Sequence, residues 1–162
     1  MSVRPELVLA VHPTSRGFGW VLFDGPHALD DWGLAYVRGD KVQACMQRLR
    51  VLLERHEPDV LVLERSGGTY AGSSSRRIQL LQAIAEAGQH LGVHVRQYGR
   101  PEVRQCLELR QDASREDVAR AVAARLPEIA HLLPPKRRAW ESLHRRLAVF
   151  SASAIALTHF GR

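Results

Sequence analysis

Blocks of hydrophobic residues in the first quarter of the chain predict three β-strands. Residues 7–11 form a continuous apolar run, which is typical of a strand that is buried on both faces of a sheet. Residues 18–23 and about 31–37 are predicted as the next two strands, because turn-forming stretches with proline and glycine separate them. Three strands joined by short turns predict an antiparallel meander.

Helical and strand patterns alternate along the rest of the chain. Apolar residues recur at helical spacing over residues 41–56, where Asp40 is placed to cap the helix, and residues 60–63 predict a buried strand that leads into Glu64. The remaining predicted elements are a small-residue loop at 67–75, a helix at 76–91, a strand at 93–98, a short helix at 101–109, a helix that Ser114 caps and that ends before Pro127, a basic connector at 133–138 and a last helix at about 140–160.

This order of elements predicts one α/β domain over residues 1–162. The three-stranded antiparallel meander and two parallel strands would form a mixed sheet with helices on both faces. The length of 162 residues fits a single domain with a sizeable core. Because sites in such sheets lie beyond the carboxyl ends of the parallel strands, His12 and Glu64 are expected to be close together.

The charge of the chain favours a nucleic-acid partner. The net charge is +6, and the 23 basic residues include only two lysines, Lys41 and Lys136. Arginine binds phosphate through two parallel hydrogen bonds and stacks on bases, so this composition suits DNA or RNA. A GC-rich genome, whose codons favour arginine over lysine, is the alternative explanation.

Cysteine usage and hydropathy indicate the compartment. Cys45 and Cys106 are the only cysteines and form no CxxC pair, so neither a disulfide framework nor a cysteine zinc site is expected. No apolar stretch reaches the roughly 18 residues of a membrane span, and the amino terminus has no signal-peptide pattern. We therefore expect a soluble cytoplasmic protein without a membrane partner.

Three segments that together span nearly the whole chain have a combined pattern, and they are LVLAVHPTSRGFGWVLFD, PDVLVLERS and SASAIALTH. In their sequence and order they resemble the RuvC-type Holliday-junction resolvases of the RNase H-like superfamily. In that family the first strand ends in Asp-Pro-Gly and a Gly-aromatic pair begins the next, where this chain has His12-Pro13-Thr14 and Gly19-Trp20. The resemblance implies an RNase H-like fold and places Glu64 on the family's catalytic glutamate.

The resemblance also implies a chemistry that most residues at the corresponding positions do not support. Resolvases of this family hold two magnesium ions with four side chains, mostly carboxylates, at a phosphodiester. The resemblance places His12 on the opening aspartate, and Ser151 and Ala148 on the acids of the last helix. Only Glu64 keeps its carboxylate, so no resident cofactor, and lost or strongly reduced cleavage, are expected.

Further residues of the last helix are candidates for the same site. His144 lies two helical turns before Ser151, and Glu141 lies one turn before His144. Together His12, Glu64 and His144 offer two imidazoles and a carboxylate, a set that suits zinc, manganese or iron better than magnesium. An active endonuclease with this altered metal site, using magnesium or manganese as in the family, therefore stays open as an alternative.

The expected partner is branched or structured DNA, bound by a homodimer. A four-way junction has two strands to cut symmetrically, and the helix at 76–91 is the candidate dimer interface. A protein-interaction module, whose basic surface serves a protein partner, is the third alternative. The residues predicted to contact DNA are six arginines near the inferred cleft and one aromatic residue in the loop before the helix, namely Arg76, Arg77, Arg100, Arg104, Arg137, Arg138 and Tyr70.

Overall fold

A computed structural model describes residues 4–65, 75–135 and 145–161. The strands are β1 (Leu7–Thr14), β2 (Gly17–Asp24), β3 (Leu29–Tyr36), β4 (Val60–Glu64) and β5 (His94–Tyr98). The helices are α1 (Lys41–His56), α2 (Ser75–His90), α3 (Arg100–Cys106), α4 (Arg115–Arg125) and α5 (Leu147–Phe160), with a 3₁₀ helix at Pro127–Leu132.

The five strands form one mixed sheet in the order β3-β2-β1-β4-β5. β1, β2 and β3 pair antiparallel, whereas β4 runs parallel to both β1 and β5. This arrangement confirms the predicted meander and the two added parallel strands. Val11 pairs with Leu63, so the next residues along the two strands, His12 and Glu64, emerge side by side at the carboxyl edge.

Successive side chains of the central strands enter two separate cores, as the pleat of a strand requires. Leu9 and Val11 of β1 point to the face that α1 and α2 cover. Val8 and Ala10 point to the opposite face, which α3, α4 and α5 cover. The continuous apolar runs of β1 and β4 are explained by this burial on both faces.

Several predicted boundaries were wrong for local reasons. β1 continues through Thr14, because residues 12–14, predicted as a turn, pair with residues 17–19 of β2. α3 ends at Cys106, since Glu108 takes a left-handed conformation with a φ of 57°. Residues 145–146 form a turn and α5 begins at Leu147, while the earlier part of the predicted last helix lies outside the described residues.

The apolar stripe of α2 belongs to the core. Leu80, Leu81 and Ile84 are buried against the sheet. The large apolar side chains that stay exposed within the described ranges are Tyr36, Val51 and Leu91, and none of them lies in α2. In the same ranges, no helix is both long and apolar enough to cross a lipid bilayer.

The close contact of β2 with α5 brings the start of α5 to the edge of the sheet. A Cβ atom at Gly19 would lie 2.6 Å from the Cβ of Ala148 and 2.7 Å from its carbonyl carbon. Only a residue without a side chain fits this approach. The contact fixes the helix turn that carries Ser151.

We predict that Gly19→Ala destabilises the fold by about 1–3 kcal/mol, because the added methyl group must push α5 away from the sheet. Urea denaturation measures this loss. Combining it with Ala148→Gly should cost less than the sum of the two separate changes, since the smaller residue relieves part of the clash. Strictly additive losses would contradict the proposed contact.

Candidate functional site

The fold brings three of the predicted site residues together at the carboxyl edge of the sheet. His12 lies in β1 and Glu64 ends β4, with 3.5 Å between the Nδ1 of His12 and the Oε2 of Glu64. Ser151 of α5 lines the same small inner chamber, of about 40 Å³. Residues that lie outside the description are Glu141, His144, Tyr70, Arg137 and Arg138, together with the side chain of Arg76.

Two guanidinium groups donate hydrogen bonds to the carboxylate of Glu64. Arg77 donates from Nη2 to Oε2 at 2.7 Å, and Arg100 donates from Nε to Oε1 at 3.3 Å. Arg77 also donates from Nη1 to the carbonyl oxygen of Pro13 at 2.9 Å, which ties α2 to the end of β1. Both oxygens of the Glu64 carboxylate are therefore engaged by arginine.

His12 is uncharged at neutral pH. Burial, which leaves 5% of the residue exposed, lowers the pKa of His12 from 6.5 to about 3, and nearby Arg77, Arg115 and Arg100 lower it as well. The attraction to Glu64 acts in the opposite direction and is outweighed. The imidazole therefore adds no positive charge to the site and offers a neutral ring.

Glu64 remains ionised. Burial raises the pKa of Glu64, but attraction to His12, Arg77 and Arg100 and the hydrogen bond from Arg100 leave that pKa below its usual value. Because His12 is neutral around pH 7, the two guanidinium groups stabilise the carboxylate there.

A larger cleft of about 690 Å³ opens beside the inner chamber and shares His12, Arg115 and Ser151 with it. Within the described ranges, no acidic side chain lines this cleft. At its mouth the guanidinium carbon of Arg145 lies 5.6 Å from the ring centre of Tyr36. The arginines that line the cleft are Arg16, Arg77, Arg115 and Arg145.

Arg104 has a different surrounding from the other predicted DNA contacts. Its residue is 9% exposed, and its Nε and Nη2 donate to the carbonyl oxygen of Ala113 at 3.1 and 2.8 Å. These hydrogen bonds hold the segment between α3 and α4 against α3. Arg104 lines the inner chamber but does not lie at an open surface.

Sequence reasoning missed Arg115, which lines both cavities. It is the first residue of α4, directly after the capping Ser114, and the local sequence gives no sign that α4 begins at the carboxyl edge of the sheet. Tyr36 and Arg16 were missed for the same reason. Only the tertiary packing of α4 and of the β-meander brings these residues to the cleft.

The described residues do not fit the pair of magnesium ions that the resemblance implies. They hold no group of three or more histidine, cysteine, aspartate or glutamate side chains that could bind a metal ion. Magnesium prefers several charged oxygen ligands, whereas this edge offers one carboxylate that is already paired with two arginines. The surrounding guanidinium groups would repel a divalent cation.

The chain is similar to solved structures of Holliday junction resolvases. RuvC of Thermus thermophilus is 23% identical, with a TM-score of 0.69 over 96% of this chain and 93% of that chain. The yeast mitochondrial resolvase is 12% identical, with a TM-score of 0.60 over 99% and 80% of the two chains. The fowlpox virus resolvase is 10% identical, with a TM-score of 0.52 over 94% and 96%.

The likeness defines the fold. No family model matches the chain, and no curated protein matches it. The strand order, the parallel pairing of β1 with β4 and the similarity to these solved structures show an RNase H-like nuclease fold of the resolvase type. More particularly the fold is RuvC-like, which confirms the resemblance noted in the sequence.

We predict that His12 makes the stability of the protein sensitive to acid. Because its pKa is about 3 in the folded state and 6.5 ordinarily, the unfolded chain binds a proton there that the folded chain does not. The free energy of unfolding should therefore fall as the pH drops from about 6.5 towards 3. Urea denaturation at pH 7.5 and 4.5 should show a smaller fall for His12→Asn than for the wild type, and equal falls would contradict the buried neutral imidazole.

Proposed function

We propose that this protein binds branched DNA mainly through the phosphates of the DNA backbone and that magnesium-dependent cleavage is lost or strongly reduced. The observation that carries the proposal is the pairing of Glu64 with Arg77 and Arg100 at the edge of an arginine-lined cleft. A site of this charge attracts phosphate groups and disfavours divalent cations.

The comparisons support the DNA half of the proposal. Thermus thermophilus RuvC has been solved in complex with a Holliday junction substrate, and the fowlpox virus resolvase with substrate Holliday junction DNA. The present chain has a RuvC-like fold, and four of its arginines line a cleft at the carboxyl edge of the sheet. The net charge of +6 adds a long-range attraction to any DNA backbone.

Charge balance supports the second half of the proposal. The two-metal mechanism needs enough negative charge to concentrate two divalent ions at one phosphodiester. Here the single carboxylate of Glu64 is compensated by Arg77 and Arg100, His12 is neutral, and Ser151 is uncharged. On this proposal the protein binds DNA with a resolvase-like fold but has one carboxylate, Glu64, where cleavage needs several.

We further propose that the protein binds the junction as a homodimer, since a four-way junction presents two equivalent halves. The exposed positions of α2 are polar, among them Gln79, Gln82 and Glu86. A contact through this helix would therefore rest on polar side chains, while Leu80 and Ile84 stay in the core of each protomer.

Binding to a four-way junction should weaken steeply as salt rises, with a log–log slope of about −0.9 per neutralised phosphate. The double change Arg16→Gln and Arg145→Gln, at the cleft mouth, should lower affinity for all sequences alike and reduce the slope by about 0.9 per arginine removed. Fluorescence anisotropy measures affinity, slope and stoichiometry, with two chains expected per junction.

Arg110→Gln with Arg120→Gln is the matched control, because it removes the same charge from a separate surface beside α4. This pair should retain nearly wild-type affinity. An affinity for the junction that does not change with salt concentration would contradict the proposal and favour the protein-interaction module. Equal losses in both double variants would show a general effect of net charge and no contribution of the cleft.

The wild-type protein should cut a four-way junction at most weakly in magnesium or manganese. Adding carboxylates beside Glu64, as His12→Asp with Ser151→Asp, should give measurable manganese binding by calorimetry and some cleavage, because the edge gains the missing negative charge. Recovery is expected to be partial, since the residues that orient the ligands differ too.

The same double variant carrying Glu64→Gln is the control, and it should bind less metal and lose the recovered cleavage. Strong cutting by the wild type that disappears in Glu64→Gln would overturn the proposed loss of activity. That result would establish the altered-metal endonuclease instead.

A further inference from the structure

Arg115 differs from the other arginines that line the inner chamber. Its side chain is half-buried, and it makes no hydrogen bond or ion pair with any residue in the described ranges. Arg100 is paired with Glu64, and Arg104 is bound to the carbonyl oxygen of Ala113. Among the described residues Arg115 is thus a cation with no directly bonded counter-ion, and it lies where the two cavities meet.

A half-buried cation of this kind lowers the stability of the fold unless an anion binds to it. Burial lowers the pKa of Arg115, and the neighbouring Arg77, Arg100 and Arg104 lower it too. Attraction to Glu64 acts in the opposite direction but is outweighed, so the surroundings on balance disfavour the positive charge of Arg115. Arginine stays protonated nevertheless, because its intrinsic pKa is so high. An anion bound at this point would relieve both the desolvation and the repulsion between the guanidinium groups.

We infer that the cleft holds one phosphate group of the nucleic-acid backbone directly on Arg115, at the position where the resolvase chemistry would require metal ions. The identity of the ligand as DNA rests on the proposed function, whereas the anion class rests on the cleft alone. The planar guanidinium group matches two phosphate oxygens in one fork.

The other walls of the cleft suit this ligand. Ser151 brings a hydroxyl group and His12 a neutral ring to the same space, and both can hydrogen-bond to a phosphate ester without adding charge. Arg145 and Arg16 lie at the exposed mouth, where the neighbouring phosphates of a strand would pass. A volume of about 690 Å³ accepts a phosphodiester with its attached sugar.

The first experiment uses inorganic phosphate as the probe and thermal unfolding as the readout. Phosphate should raise the Tm of the wild-type protein equally with EDTA and with magnesium, since no metal bridge is involved. Arg115→Gln should abolish most of this rise, and Arg115→Lys should keep part of it. Arg120→Gln, which removes the same charge from the outer side of α4, should keep all of it.

Folding of the variant is checked in the same measurement. In phosphate-free buffer Arg115→Gln should have a Tm equal to or above that of the wild type, because it removes a half-buried charge that its surroundings on balance disfavour. A large drop would show that Arg115 supports the fold and would overturn the inference. A phosphate effect that requires magnesium would overturn it as well, in favour of a metal-bridged phosphate.

The second experiment uses four-way junction DNA and a single-stranded oligonucleotide in EDTA. Arg115→Gln should weaken junction binding about 10- to 100-fold, as expected for a lost charge-assisted pair, and reduce the salt slope by about 0.9. Arg120→Gln should stay within about twofold of the wild type, a change that is small against the loss of a charged pair.

The outcomes separate this inference from the proposed function. If the wild type binds the junction and Arg115→Gln binds it equally well, the phosphate assignment is wrong while the proposed function stands. If phosphate stabilises through Arg115 but no DNA is bound, the anion site stands and the proposed function is wrong. Phosphate stabilisation that Arg115→Gln leaves unchanged would place the anion elsewhere and overturn the inference.

Discussion

The charge balance around one buried carboxylate determines what the carboxyl edge of this sheet can bind. The strands β1 and β4 bring His12 and Glu64 together, and the packing of α2 and α3 places Arg77 and Arg100 on the two oxygens of Glu64. With its oxygens satisfied in this way, Glu64 stays ionised although it is largely buried, and His12 stays neutral beside it. The same guanidinium groups that stabilise the carboxylate compete with divalent cations for its two oxygens.

The elements with strong local signals were predictable. The continuous apolar runs identified β1 and β4, and the cap at Asp40 with the apolar stripe that follows it identified α1. Sheet rules then placed His12 beside Glu64, because the carboxyl ends of adjacent parallel strands meet at one edge. The register of Ser151 on the last helix needed the family resemblance, and the structure places its side chain on the wall of the same chamber.

The charge pairing could not be predicted, because it depends on which helices meet at the edge. Arg77 and Arg100 were predicted as DNA contacts, yet both bind Glu64 within the protein. Arg115 carries no sequence signal beyond its place after a helix cap. The apolar stripe of α2 was equally ambiguous, since a stripe looks the same whether it faces its own sheet or a second chain, and only packing assigns it to the core.

A cleft of this shape can bind ligands of either charge, because the fold fixes the positions of the lining side chains but not the sign of their charges. Where carboxylates line the edge, they bind divalent cations, and the phosphate then binds to those cations. Where arginines line it, a phosphate can bind to the guanidinium groups directly, without the cations, and this is the arrangement on which the proposed function rests. The close contact between Gly19 and Ala148 is independent of this charge, since it preserves the approach of α5 to the sheet. The fold of the chain and the charge of its cleft are thus separable, and in this RuvC-like fold the described residues line the cleft with arginines and not with carboxylates.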